Sequence, residues 1–154
     1  MTAQIQERLR YQGENLGMSS TPLNDFFELR GHTPAFQYDC TALWRGYIGS
    51  WDITDDRLYL VALQGTFADG SPVSLERVFP GYPERVFAHW FSGSVRIPQG
   101  ELLDYVHMGF GSTHERDLIL CFEQGVLVRT VVHHNDLDHV AERLMAKHVA
   151  GGAA

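Results

Sequence analysis

The chain has 154 residues, 44% of them apolar and 20% charged, which suits one compact core rather than two. Twelve basic side chains stand against nineteen acidic ones, a net charge of −7, so a face that must neutralise nucleic-acid phosphates is disfavoured and no nucleic-acid partner is expected. The longest apolar run, residues 58–63, falls far short of the roughly 20 needed to span a bilayer, and the opening MTAQIQERLR carries no apolar signal region. A soluble, cytoplasmic protein without a membrane partner is the expectation. Cys40 and Cys121 are the only cysteines and do not form CxxC, so neither a disulfide framework nor a thiolate zinc site is expected.

In chain order, residues 8–12 (RLRYQ) and 16–20 (LGMSS) flank Gly13, Glu14 and Asn15, which predicts a hairpin with Gly and Asn in the positive-φ positions. STPLNDFFELRG predicts a helix: Thr21 can cap it, Pro22 fits the first helical position, Leu23, Phe26 and Phe27 share a face, and Gly31 can end it. Residues 32–41 have no clear period and contain Pro34, so they read as a connection. TALWRGYIGSWDITDDRLYLVALQGTF predicts a long hairpin turning at Asp55 and Asp56. Its first strand places Tyr47, Gly49, Trp51 and Ile53 on one side. Its glycines are tolerable where a strand bends or a bulky group crosses it.

Pro83 starts a second predicted helix, with Val86, Phe87, Trp90 and Phe91 at helical spacing and Gly93 as its stop. SVRIP, ELLDYVHM, DLILCFE and VLVRTVVH read as strands, with turns at Gly100 and Gly125 and a longer one at FGSTHER. Leu118 to Phe122 is apolar on both sides, so both sheet faces must be covered somewhere. A last helix is predicted from Leu137, Val140, Ala141, Leu144 and Met145, with Asn135 as its cap. The fold expectation is therefore α+β and β-rich: a curved antiparallel sheet or partly closed barrel with two or three packing helices. It forms one domain over residues 1–150, with a flexible tail at 151–154.

Three groups of residues invite a chemical reading. HHNDLDH, residues 133–139, contains HxDxDH and resembles the HxHxDH metal signature of the metallo-β-lactamase superfamily. Asp136 stands where that pattern has His, and too little chain follows for the remaining ligands, so no metal-ligand role is assigned. GSW at 49–51 fits the GxW pattern of lipocalin-like barrels, and equally a core Trp crossing a glycine. If SVRIP and ELLDYVHM pair across a Gln99 and Gly100 turn, Arg96, Tyr105 and His107 can share a polar patch, with Trp90 nearby in sequence. Arg holds carboxylates or phosphates at two points, and His moves protons near neutral pH. No GxSxG elbow or phosphate loop is present.

The stretches WRGYIGSWDI and RIPQGELLDYVHMG, within residues 8–132, resemble an uncharacterised family of small bacterial cytoplasmic proteins. The resemblance implies a bacterial cytoplasmic origin and no known activity. The functional expectation is a noncatalytic binding or interaction module. Tyr47, Trp51, Trp90, Arg96, Tyr105 and His107 would form an aromatic and polar pocket for a small ligand, acidic ones included, or a protein partner. No cofactor is assigned. One alternative is a hydrolase, either metal-dependent at His133 to His139 or using His107 and Glu115 as acid and base. The other is a self-assembling structural or regulatory protein, such as a homodimer that buries its strand edges.

Overall fold

The computed structural model describes residues 4–38, 40–104 and 113–135. In chain order these form β1 (Glu7–Tyr11), β2 (Glu14–Met18), α1 (Pro22–Arg30), β3 (Tyr47–Thr54), β4 (Arg57–Gly65), α2 (Leu75–Val78), β5 (Val86–Phe87), β6 (Gly93–Asp104), β7 (Thr113–Glu123) and β8 (Val126–His134). Three two-residue turns close the hairpins β1–β2, β3–β4 and β7–β8. Each has positive φ at both central residues: Gln12 and Gly13 (52° and 77°), Asp55 and Asp56 (52° and 59°), Gln124 and Gly125 (48° and 81°). This is the turn whose twist matches that of the flanking strands. The predicted Asp and Gly125 turns form as expected. In the first hairpin the turn sits earlier, on Gln12 and Gly13, and Asn15 lies within β2 opposite Arg10.

The strands make one sheet in the order β2-β1-β3-β4-β8-β7-β6, with β5 also on β4. It is mixed rather than antiparallel, because β1 runs parallel to β3. Between them the chain passes through β2, α1 and the 31–46 connection, a crossover long enough for parallel pairing. The sheet bends sharply where β4 meets β8, a junction with one register pair, Arg57 and Val126. Leu9, Trp51, Leu58 and Leu60 from one half then share a core with Val95, Ile97, Leu120 and Phe122 from the other. At the far side the two edges touch: the Ser19 N–H donates to the Arg96 carbonyl at 2.8 Å, and the Arg96 N–H donates to Ser20 Oγ at 3.0 Å. No ladder follows this contact, so the sheet is strongly curved and is not closed into a barrel.

The first predicted helix forms, with Pro22 in its first turn and Gly31 (φ 67°) closing it, but the Thr21 side chain accepts no backbone N–H as a cap. The predicted helix after Pro83 does not. Val86 and Phe87 form β5 against Leu60 and Tyr59, and Gly93 opens β6 instead of stopping a helix. A β-branched and an aromatic residue beside an unfilled edge of β4 gain more from ladder pairing than from one helical turn. The second helix is α2, eight residues before Pro83 at its start, where Ser74 Oγ accepts the Arg77 N–H at 3.3 Å.

SVRIP and ELLD are not two strands but one, β6, and Gly100 (φ 81°) is a bulge within it, at the register shift against β7 between Gln99 and Leu102. The predicted helix at 137–147 and the 151–154 tail lie outside the described residues. No described helix is long and apolar enough to cross a membrane.

Candidate functional site

β1 alternates Glu7, Arg8, Leu9 and Arg10, with Glu7 and Leu9 buried and both arginines exposed. Strand geometry alone separates these charges onto opposite faces. Inside, Glu7 is 0% exposed and pairs with Arg45, whose side chain is 6% exposed, at 2.8 Å. The same carboxylate accepts the Gly49 N–H at 2.6 Å and the Trp51 indole N–H at 3.2 Å. Gly49 is required here, because a Cβ would stand 2.5 Å from Glu7 Oε1 and 2.8 Å from the indole nitrogen. Burial pushes the Glu7 carboxyl above the usual glutamate range, and Arg45 with the two N–H donors opposes that rise.

Two of the predicted pocket residues belong to this interior. Tyr47 and Trp51 are each 1% exposed. Tyr47 donates its hydroxyl to Asn24 Oδ1 at 2.7 Å, fixing α1 to β3, and burial pushes its phenol upward. The glycine of the GxW pattern therefore makes room for a carboxylate and an indole that cross it, the core reading of that motif. Trp90 is half-buried at the end of the core, stacked on Phe79 at 5.6 Å and donating its indole N–H to the Pro22 carbonyl at 2.9 Å.

Arg96 projects from the opposite side of β6 to the buried Val95 and Ile97, and pairs with Asp117 at 3.4 Å. Asn135 caps this pair, donating its amide to Asp117 Oδ2 and to the His114 carbonyl, both at 3.1 Å. Among the described residues, Asn135 Oδ1 and His114 Nδ1 are buried without a hydrogen-bond partner. Tyr105 and His107 lie outside the described residues. Gln99 and Gly100 do not turn the chain into the expected hairpin, since SVRIP and ELLD run on as one strand, β6. The six-residue pocket thus divides: Tyr47 and Trp51 are sealed in the interior, Trp90 closes its end, and Arg96 faces outward.

The same outward face carries Cys121, whose thiol lies 3.6 Å from Ser94 Oγ and 3.8 Å from the Arg129 guanidinium. The Ser94 hydrogen bond, then Arg129, push it below the usual thiol range. His133 and His134 end β8, while residues 136–139 of HHNDLDH lie outside the described residues. Among those described, no three His, Cys, Asp or Glu side chains group to hold a metal ion.

A concavity lies over the outer face of β2, β1 and β3. It is a groove of about 680 Å³ whose lining includes Arg8, Arg10, Asn15, Gly17 and Ser50. Arg8 lies between Gly17 on β2 and Ser50 on β3. A Cβ at Gly17 would collide with the Gln6 carboxamide, which crosses β2 to donate to Ser19 Oγ at 3.0 Å. Neither Arg8 nor Arg10 has a carboxylate within 4.0 Å among the described residues. The alternation in RLRY is a pattern that puts both on one face of a strand. The signal that turns this face into a site is the glycine and serine opposite, which only the strand order reveals. No protein-family model, curated protein or solved structure matches this chain.

Proposed function

We propose that the protein is a noncatalytic module that binds a small anionic ligand in the groove over β1. The observation that carries this reading is the pair of exposed guanidiniums, Arg8 and Arg10, that share a groove and have no acidic partner. In a chain of net charge −7 acidic side chains are plentiful, yet among the described residues none lies within 4.0 Å of either guanidinium. Residues two apart on a strand are about 7 Å apart, where two positive charges in water repel by roughly 0.6 kcal/mol. An anion between them converts that repulsion into attraction, and guanidinium geometry favours two-point capture of carboxylate or phosphate oxygens.

Cytoplasmic residence and membership of the small bacterial family suggested by RIPQGELLDYVHMG belong to the same proposal. The test is isothermal titration of a panel of organic carboxylates and phosphates against the wild-type protein and an Arg8→Gln/Arg10→Gln variant. At least one anion binds the wild type at millimolar concentration or below, and the double variant loses it. Equal binding by the variant, or no binding by any anion, overturns the reading.

A further inference from the structure

We infer that the ligand of this groove is a linear dicarboxylate, held with one carboxylate on each arginine; the inference rests on the anion-binding reading above. The register of the sheet repeats a pattern. Arg8 stands beside Ser50 on β3, and Arg10 stands beside Asn15 on β2. Each guanidinium therefore has one neutral hydrogen-bonding neighbour, and all four residues line the groove. A carboxylate has two oxygens and about four lone-pair sites, more than one guanidinium fork fills, so a hydroxyl or carboxamide beside the fork completes its shell.

Two such half-sites, about 7 Å apart along β1, match two carboxylates joined by a short chain better than one tetrahedral anion, which both arginines would have to reach together. Asp52, the neighbour of Arg10 on β3, accepts the Thr54 hydroxyl and does not line the groove. Ile5 and Val61 also line the groove, and they provide apolar surface for a methylene spacer. A spacer that brings the ligand to about five or six carbons spans the two guanidiniums at this spacing.

Titrations with glutarate, adipate, hexanoate and inorganic phosphate test this. Adipate or glutarate binds about tenfold or more tightly than hexanoate, which can occupy only one half-site. Arg8→Gln and Arg10→Gln, taken singly, each reduce dicarboxylate affinity to the hexanoate level, while hexanoate affinity falls by about twofold because the other half-site remains. Hexanoate binding as tightly as the dicarboxylates overturns the inference. So does phosphate binding more tightly than either dicarboxylate, with both single variants abolishing it, since that pattern means one anion pinched by both arginines. In both cases loss of binding in the double variant leaves the anion-binding module intact. Absence of binding by all four probes overturns the two-point inference, and the module falls with it only if the wider anion panel also fails.

Discussion

The two faces of β1 handle charge in opposite ways. On the inner face the Glu7 carboxylate is enclosed by three residues that donate to it, Arg45, Gly49 and Trp51, and no capacity is left for anything else. On the outer face, one residue further along the same strand, guanidiniums stand in a groove with no ion pair within 4.0 Å among the described residues. Taking a charge out of water is so costly that the fold must surround it with partners. A charge left in water carries no such demand and is free to bind. The contrast separates a charge that holds the structure together from a pair available for recognition, and each prediction below attacks one side of it.

The largest effect is expected at Arg45. Arg45→Gln leaves Glu7 buried without its counter-ion and should cost about 3–5 kcal/mol near pH 7.5, read from urea unfolding. The cost should shrink toward pH 5, for a reason fixed by sign. The Glu7 carboxyl already sits above its ordinary range in the folded protein, so the folded state takes up its proton more readily than the unfolded chain, and stability falls as pH rises through the folded value. Removing Arg45 takes away the main influence that lowers the carboxyl, moving this window upward. A deficit of equal size at both pH values would show that Glu7 is not the group exposed by the loss.

Gly49→Ala should come next, at about 1–3 kcal/mol. The new methyl would press on Glu7 Oε1 and the Trp51 indole, and neither can withdraw without abandoning a hydrogen bond. A thermal midpoint unchanged in this variant would show that the inner cluster yields easily. Smaller again is Asp117→Ala, at about 1–2 kcal/mol, because Asp117 is buried but its partner Arg96 keeps 27% of its side chain in water. Asn135, which donates to Asp117, loses one of its two acceptors. Urea midpoints should fall both for this variant and for Asn135→Ala, as each change breaks the Asn135–Asp117 hydrogen bond.

Much of this architecture was legible in the sequence because it is written locally. Asp55 with Asp56, and Gly125, announce turns through their tolerance of positive φ. Pro22 and Gly31 bracket α1 with opposite backbone requirements. The failures have a common physical cause, which is that the deciding partner lies far away in the chain. Val86 and Phe87 have helical spacing with Trp90, yet the edge of β4 makes them a strand. Gly100 reads as a turn, yet β7 continues past it and the glycine becomes a bulge.

The site was divided by the same rule. Trp51 and Tyr47 were recognised as neighbours on one face, but nothing near them indicates that Glu7 enters from the start of the chain to occupy that interior. Arg8 and Arg10 belong to a predicted strand, and the Gly17 and Ser50 that flank Arg8 come from different partners.

The smallest stability effect is expected where the functional effect is largest. Arg8→Gln and Arg10→Gln remove exposed charges that make no ion pair among the described residues, so each should change unfolding free energy by no more than about 0.5 kcal/mol. The sign for the double variant should be slightly favourable at low salt, since the mutual repulsion of the two guanidiniums disappears, and salt should erase the gain as it screens exposed charges. Urea unfolding at low and high ionic strength reads both. If either single variant instead lost more than 1 kcal/mol, its guanidinium would be holding the fold, as Arg45 does, and the division of β1 into a structural face and a binding face would fail.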